Sequence, residues 1–511
     1  MTQSKTGERE TVLRLSRITK RFGTLVANDD ISLQLGRGEI LGLLGENGAG
    51  KTTLMNILFG HYVADTGSIE AFGHDLSPGE PKAALKAGIG MVHQHFTLAE
   101  NLTVLDNILL GTESLWRLQS ASAKARRRIL DLGEEYGLKV NPDAVVATLS
   151  VGEKQRIEIL KAFYREARIL ILDEPTAVLT PQESDALFET LKRFVAKGLS
   201  IIFISHKLNE ILNACNRVTV LRGGKNVAER DVAGATREEL AELMVGRAVA
   251  KPKAEPMQHG RKILELKAAR TQRGNLKLNN VDLAVHSHEI VGIAGVSGNG
   301  QSLLADVISG VQILSSGTMS VDDTSQTHIN PRNIVSQGVA RIPEDRHAEG
   351  LVGDMSIMEN LIAERLHSQE FSKRGFIDWQ KAKAFAEEII KSYDVKCPGP
   401  SARSGLLSGG NMQKLILGRV MANAPKLVLA NQPTRGLDVG AVAYVHEQLL
   451  AARARGAGVL LISEDLDELL ALSDRVCVMY QGKLSPPIPR AKVTIQPLGL
   501  MMAGQGFKDA A

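Results

Sequence analysis

A chain of 511 residues is too long for one hydrophobic core, so two or more domains are expected. Its 43% hydrophobic and 23% charged residues match an ordinary globular protein, and a net charge of +4 is too weak a field to argue for nucleic acid. Cys215, Cys397 and Cys477 lie far apart without a CxxC, which argues against a disulfide framework or zinc site and suits a reducing cytosol. The polar opening residues lack an apolar signal core, and no apolar run approaches the ~18 residues of a membrane span. Work at a membrane would need another chain to cross it.

Alternating runs at residues 12–15 and 31–35 predict strands with one exposed face. The apolar run 40–44 leads into Gly45-Glu46-Asn47-Gly48-Ala49-Gly50-Lys51-Thr52-Thr53, and residues 54–58 read as a helix. Strand, glycine loop and helix are the context of a phosphate-binding P-loop. The glycines let successive N–H groups turn towards one anion, and the helix N-terminus adds partial positive charge at the same spot. Lys51 is expected to reach the β- and γ-phosphates and the Thr52 hydroxyl to hold Mg²⁺. Gly45, Asn47, Gly48, Ala49, Gly50 and Thr53 complete the cradle. A bare glycine-rich turn is the competing reading, and the partners further along weigh against it.

In Met91-Val92-His93-Gln94-His95-Phe96 the Gln94 amide oxygen is a candidate for metal or water. Alternation puts both histidines on the face opposite Gln94, which disfavours a histidine metal site. Residues 123–136 predict a helix, and the basic run 124–128 within it lacks interleaved aromatics, so it reads as a solvated face. Runs 169–172 and 201–204 suit strands buried on both faces of a parallel sheet. Asp173-Glu174 ends the first of these, one carboxylate placed to hold Mg²⁺ and the other to orient and deprotonate an attacking water. His206 ends the second, within reach of a γ-phosphate and that water. Phe22 is a candidate for stacking on adenine, or a core ring. The pattern as a whole is α/β with an inserted helical subdomain.

The chain then starts again. Leu149-Ser150 recurs as Leu407-Ser408, Pro175-Thr176 as Pro433-Thr434 and Ile204-Ser205 as Ile462-Ser463. The period is domain-sized, so two copies of one domain are expected, at 8–247 and 262–504, with a proline-interrupted linker at 248–261 and a tail at 505–511. Copy two departs from copy one where nucleotide chemistry would sit. Its loop, Gly295-Val296-Ser297-Gly298-Asn299-Gly300-Gln301-Ser302, has the amide Gln301 for Lys51 and Ser302 for Thr52. Gln272 stands for Phe22, Glu344 for Gln94, Asn431-Gln432 for Asp173-Glu174 and Glu464 for His206. The phosphate loses a cation, the metal an anionic anchor and the water its base. Glu464 would also face a γ-phosphate as a like charge, a repulsion of about 4 kcal/mol at ~4 Å and an effective dielectric near 20. Glu344 could still hold Mg²⁺.

Leu149-Ser150-Val151-Gly152-Glu153 and Leu407-Ser408-Gly409-Gly410-Asn411 both resemble the LSGGQ signature of ATP-binding-cassette ATPases. With the P-loop, Gln94, Asp173-Glu174 and His206 in order, the resemblance covers nearly the whole chain. It implies two tandem P-loop ATP-binding-cassette domains, each a mixed β-sheet core with an inserted helical subdomain, using ATP and Mg²⁺. It also implies head-to-tail pairing, each ATP lying between one P-loop and the other copy's signature. One site then joins the first P-loop to Ser408, Gly409, Gly410 and Asp438. The other joins the altered loop to Ser150-Val151-Gly152 and to Thr180, which stands where an aspartate is usual. Hydrolysis is expected at the first site alone.

Tandem cassettes with no membrane span resemble the energising subunit of bacterial importers for simple sugars and related solutes. Residues 91–96, 149–153, 177–183 and 342–347 look most like the nucleoside branch, which works with a basic-membrane-protein-type binding lipoprotein. The implied partners are two transmembrane permease subunits and, indirectly, that lipoprotein, with no nucleic acid. The loops after Gln94 and Glu344 would grip permease helices at the cytoplasmic face of the inner membrane, where the chain would be peripheral. Import of ribose- or galactose-like sugars is one rival reading. A soluble twin-cassette ATPase acting on ribosomes or DNA is another, disfavoured by the short linker and the degraded second site.

Overall fold

Unbroken apolar runs become the buried centre of each half. In the computed structural model, which describes residues 9–93, 96–112, 122–176, 181–246, 253–325, 329–366, 368–502 and 504–507, every residue of the strands Ile40–Gly45, Ile169–Asp173 and Ser200–Ser205 is buried. The chain divides into two compact units, Met1–Val249 and Ala250–Ala511.

The first unit has a six-stranded sheet in the order Lys225–Asp231, Arg217–Arg222, Ile40–Gly45, Ser200–Ser205, Ile169–Asp173, Ile89–Val92. All neighbours are parallel except the first pair. Parallel registration pairs Leu44 with Ser205 and Asp173 with Ile204. The C-terminal ends of three central strands therefore meet on one edge, where open α/β sheets hold their ligands. A four-stranded antiparallel sheet, Leu25–Gly36, Thr11–Phe22, Thr66–Ala71 and His74–Asp75, forms a second layer. Leu13 and Ile31 from that layer share a core with Leu43, Ile171 and Leu54, so the helix Lys51–Phe59 is packed by both sheets. A helical subdomain follows, built from Val104–Leu109, Ser122–Tyr136 and Val151–Tyr164. Tyr136 and Phe163 pack with ring centroids 4.4 Å apart and anchor it beside Phe194 of the helix Pro181–Ala196.

The second unit repeats this order. Its larger sheet runs Val339–Ile342, Leu427–Asn431, Gly458–Ser463, Ile290–Ala294, Arg475–Tyr480, Lys483–Leu484, with Ile488–Pro489 also on Arg475–Tyr480. Its helices Ile357–Ile362, Trp379–Ser392 and Gly409–Met421 form the inserted subdomain, which adds a small hairpin, Ser372–Lys373 with Phe376–Ile377. Two stretches read as linker and tail prove partly built in. Ala254 is 2% exposed, its N–H donates to the Ala471 carbonyl, and Arg453 and Arg490 bind the Glu255 and Ala254 carbonyls. Phe507 is buried against Tyr480. Proline and polar content marked the first of these segments as a connector, whereas the buried Arg453 and the half-buried Arg490 capture its carbonyls. Among the described residues no helix is long and apolar enough to cross a membrane.

Candidate active site

Gly50 caps the helix Lys51–Phe59 in the left-handed region, at φ 100°, with no side chain over the helix start. A Cβ there would lie 2.4 Å from the Ala27 carbonyl oxygen, so only glycine lets the loop pass under the antiparallel layer. Asn28, fully buried, secures the crossing by donating from Nδ2 to the Gly50 carbonyl at 3.0 Å. Lys51 is buried and its Nζ donates to the Gly45 carbonyl at 2.7 Å and the Glu46 carbonyl at 3.0 Å. The ammonium is thus held inside the curl of the loop. Ala49 is buried, while Asn47, Gly48 and Thr52 are exposed along the mouth and Thr53 is half-buried.

Opposite this cradle stand the strand-end acids. Asp173 is buried, and burial, reinforced by the neighbouring Glu174 charge and opposed by Lys51, pushes its carboxyl up to about 6. Glu174 sits at φ 48°, a left-handed conformation that costs a non-glycine residue about 1–2 kcal/mol and turns its side chain off the strand. Its Oε1 lies 2.8 Å from His206 Nδ1. Burial alone would raise the Glu174 carboxyl, but the His206 hydrogen bond and charge, with Lys51 and Lys207, hold it below the usual range. Lys51, Asp173, Glu174 and His206 are therefore one electrostatic cluster. The exposed Thr52 hydroxyl and the Asp173 carboxylate are hard oxygen donors of the kind Mg²⁺ takes.

Phe22 is 44% exposed at the tip of the hairpin whose second strand crosses Gly50. Tyr62, 41% exposed, meets it edge-on at 5.6 Å, and the Lys20 Nζ lies 5.5 Å from its ring centroid. Gln94, His95 and Thr180 lie outside the described residues. His93 stacks with His61 at 5.9 Å, and burial lowers its basicity.

In the second half Gln301, Ser302, Glu344, Asn431, Gln432 and Glu464 line one cleft with Ser297 and Gly298. Of the positions altered in this half, all but Gln272 are thus brought together. Gln301 donates from Nε2 to the Val296 carbonyl at 3.0 Å, a neutral copy of the Lys51 contact. Gln432 has φ 48°, and its Oε1 accepts from the Glu464 N–H at 3.4 Å. Glu344 pairs with Arg435. Gln272 turns back to the Gly274 carbonyl rather than presenting a ring.

Each signature serine starts a helix. Ser150 caps Val151–Tyr164 and Ser408 caps Gly409–Met421. Asp438 caps Val439–Ala454, accepting from the Ala441 N–H at 2.8 Å. The loop after each sheet-edge strand is tied to the signature helix of its own half. In the first, the Thr97 N–H and hydroxyl donate to Glu158 Oε1 at 2.7 and 2.9 Å. In the second, Arg346 donates to the Gly409 carbonyl at 3.3 Å and to the Arg435 carbonyl. Sequence reasoning missed Tyr62, Asn28, Thr97–Glu158 and Arg346. The exposed aromatic Tyr62 close after the P-loop helix was the one signal available in advance.

A parallel sheet edge that converges on a glycine loop, a buried lysine and strand-end carboxylates defines a P-loop nucleotide-binding ATPase, and this chain carries the scaffold twice. A family model described as ABC transporter matches residues 28–177 and 278–435. Nucleoside import ATP-binding protein NupA of Lactococcus lactis subsp. cremoris is 44% identical over 504 residues, covering 98% of this chain and 99% of that protein. Glucose import ATP-binding protein TsgD13 of Haloferax volcanii is 44% identical over 535 residues, covering 98% and 97%. A solved structure of an RNase-L Inhibitor, 17% identical with a TM-score of 0.63 over 96% of this chain and 93% of that one, shares the fold. The chain belongs to the ABC transporter family and is a tandem-cassette ATPase of its simple-sugar and nucleoside import type.

Proposed function

We propose that this chain is the energy-coupling subunit of a bacterial importer of nucleosides, hydrolysing ATP at one of two composite sites. The observation that carries the asymmetry is the bond between Glu174 and His206 beside Lys51, set against Gln432 and Glu464 beside Gln301. The competent site joins the first P-loop to Ser408, Gly409, Gly410 and Asp438. The other joins the neutral loop to Ser150-Val151-Gly152 and holds nucleotide weakly or as a scaffold. The near-full-length likeness to NupA and the motifs at 91–96 and 342–347 support nucleosides as solute. The equal identity to TsgD13 makes simple-sugar import the second reading.

At the competent site the loop N–H groups and Lys51 bind and orient the phosphates, and Phe22 with Tyr62 holds the base. Thr52, Asp173 and Gln94 would hold Mg²⁺, which supplies charge neutralisation for the β- and γ-phosphates. Glu174, kept ionised by His206, accepts the proton of the attacking water, and His206 fixes the direction of that carboxylate. ATP draws the halves together, and hydrolysis lets them part. The loops after Gln94 and Glu344 pass this motion to two permease subunits, fed by a binding lipoprotein, at the cytoplasmic face of the inner membrane.

The test is uptake of labelled nucleosides, ribose and galactose by cells with and without this chain, alongside purification of its complexes. Nucleoside uptake lost with the chain, and permease subunits recovered with it, is the expected result. Loss of sugar uptake alone would select the second reading. Ribosomes in place of permeases would overturn both.

A further inference from the structure

We infer that the residue three positions after each signature serine decides whether that serine can donate a hydrogen bond to phosphate: Asn411 leaves the Ser408 proton free, and Glu153 takes the Ser150 proton. The inference rests on the composite-site reading and adds a determinant to it. The two signatures differ here in sequence, and the hydrogen bonds show what the difference does.

In the second half Asn411 Oδ1 accepts from the Lys396 N–H at 2.8 Å. An N–H needs an acceptor, so that contact fixes which way the amide faces. The Asn411 nitrogen must then point at Ser408 Oγ, 2.9 Å away, and the Asn411 N–H approaches the same oxygen at 3.5 Å. Ser408 Oγ accepts from both. Its own hydrogen is committed to neither and can turn outward, over a helix start whose Gly409 and Gly410 carry no side chain.

In the first half the direction reverses. Glu153 Oε2 accepts from the Ser150 N–H at 2.9 Å and from Ser150 Oγ at 2.7 Å. A carboxylate only accepts, so the Ser150 hydrogen is spent inward. Those same Ser150 bonds hold the Glu153 carboxyl below its usual range, so it stays charged. A negative first turn also offsets the helix-end field that would favour an anion. The arrangement is a sound capping box and a poor phosphate clasp, because the bond that stabilises the helix is the one the ligand would need. Asn411 acts as a positioning residue, through Ser408.

The decisive variant is Asn411→Asp, isosteric with the native residue and an acid in the first helical turn, which the helix end favours, so the helix is expected to stay intact. Full-length protein in the non-hydrolysing Glu174→Gln background carries one fluorophore in each half, and closure is titrated with Mg-ATP. Asn411→Asp should raise the ATP concentration for half-closure by about 10–100-fold, the value of one hydrogen bond to a charged group. Its melting temperature should not change, and Asn411→Gln, a neutral donor again, should close near the wild-type concentration. Closure of Asn411→Asp at the wild-type concentration would overturn the inference. Ser408→Glu separates the two levels: if it also closes normally, the composite site itself is wrong, whereas if it fails and Asn411→Asp does not, only the role of Asn411 falls.

Discussion

The two halves keep the same scaffold and differ in the charges placed on it. The buried Glu39 pairs with the half-buried Arg217 at 2.8 Å in the first, and the buried Glu289 with the half-buried Arg475 at 2.6 Å in the second. Gln155 and Gln413 each donate to the carbonyl of a proline, Pro175 and Pro433, at 2.7 and 2.8 Å. Even the strained backbone after the strand is duplicated, with φ 48° at both Glu174 and Gln432. What changes is the chemistry at the tips: ammonium to amide, carboxylates to amides, imidazole to carboxylate. The difference teaches that loop shape and strand-end geometry come from packing and backbone hydrogen bonds. Neither requires the charges that distinguish the two halves.

The largest expected effect comes from removing one charge of the first half's cluster. Glu174→Gln should lower ATP turnover by about 10²–10⁴-fold, read as phosphate release at saturating ATP, with nucleotide still bound. Turnover kept at the wild-type rate would move the base to another residue.

Breaking the duplicated ion pair should injure both halves alike. Arg475→Met leaves Glu289 buried without its cation and should cost about 3 kcal/mol of stability, and Arg217→Met should cost a similar amount. Denaturant melts check this. Burial would raise the Glu289 carboxyl, but Arg475 and the His286 bonds hold it below the usual range. Its folded pKa is depressed, so the pair's contribution is whole above the ordinary glutamate value of about 4.3 and is lost as pH falls below that. Wild-type protein should lose this stability only in acid, whereas Arg475→Met should lack it at neutral pH as well.

A smaller contrast concerns the base. Phe22→Ala should weaken ATP binding by about 5–10-fold, the lower end of a ring-stacking contribution, while Gln272→Ala should leave it unchanged. Fluorescent-nucleotide titration distinguishes them. The smallest effect is expected of Gln432→Glu, which returns one carboxylate to a site still lacking Lys51 and His206 equivalents. Its turnover should match wild type, and a measurable gain would mean the second site needs only a base.

Much of this was legible in the chain because it depends on local order. The glycine loop, the strand-end pair Asp173-Glu174 and the repeated Leu-Ser motif are contiguous, and parallel strands bring their C-terminal ends together by rule. The cluster lining the second cleft was found by aligning one copy on the other. What could not be read depends on contacts between distant segments. Nothing near residue 28 signals that Asn28 will hold Gly50, and nothing near 435 that Arg435 will neutralise Glu344. Asn411 and Glu153 were visible as letters, but the direction of their hydrogen bonds needed Lys396 in place. The segment around Ala254 reads as a tether by composition, yet Arg453 and Arg490 hold its carbonyls and Ala254 itself is buried.

The ties between Thr97 and Glu158, and between Arg346 and Gly409, have a mechanical consequence. A pushrod works only if both of its ends are pinned. Here each sheet-edge loop is bolted to the helix that begins with the signature serine, by an anionic pin in one half and a cationic pin in the other. A tug on either loop is passed to the helix that begins with its signature serine, so the two halves are equally equipped to carry load.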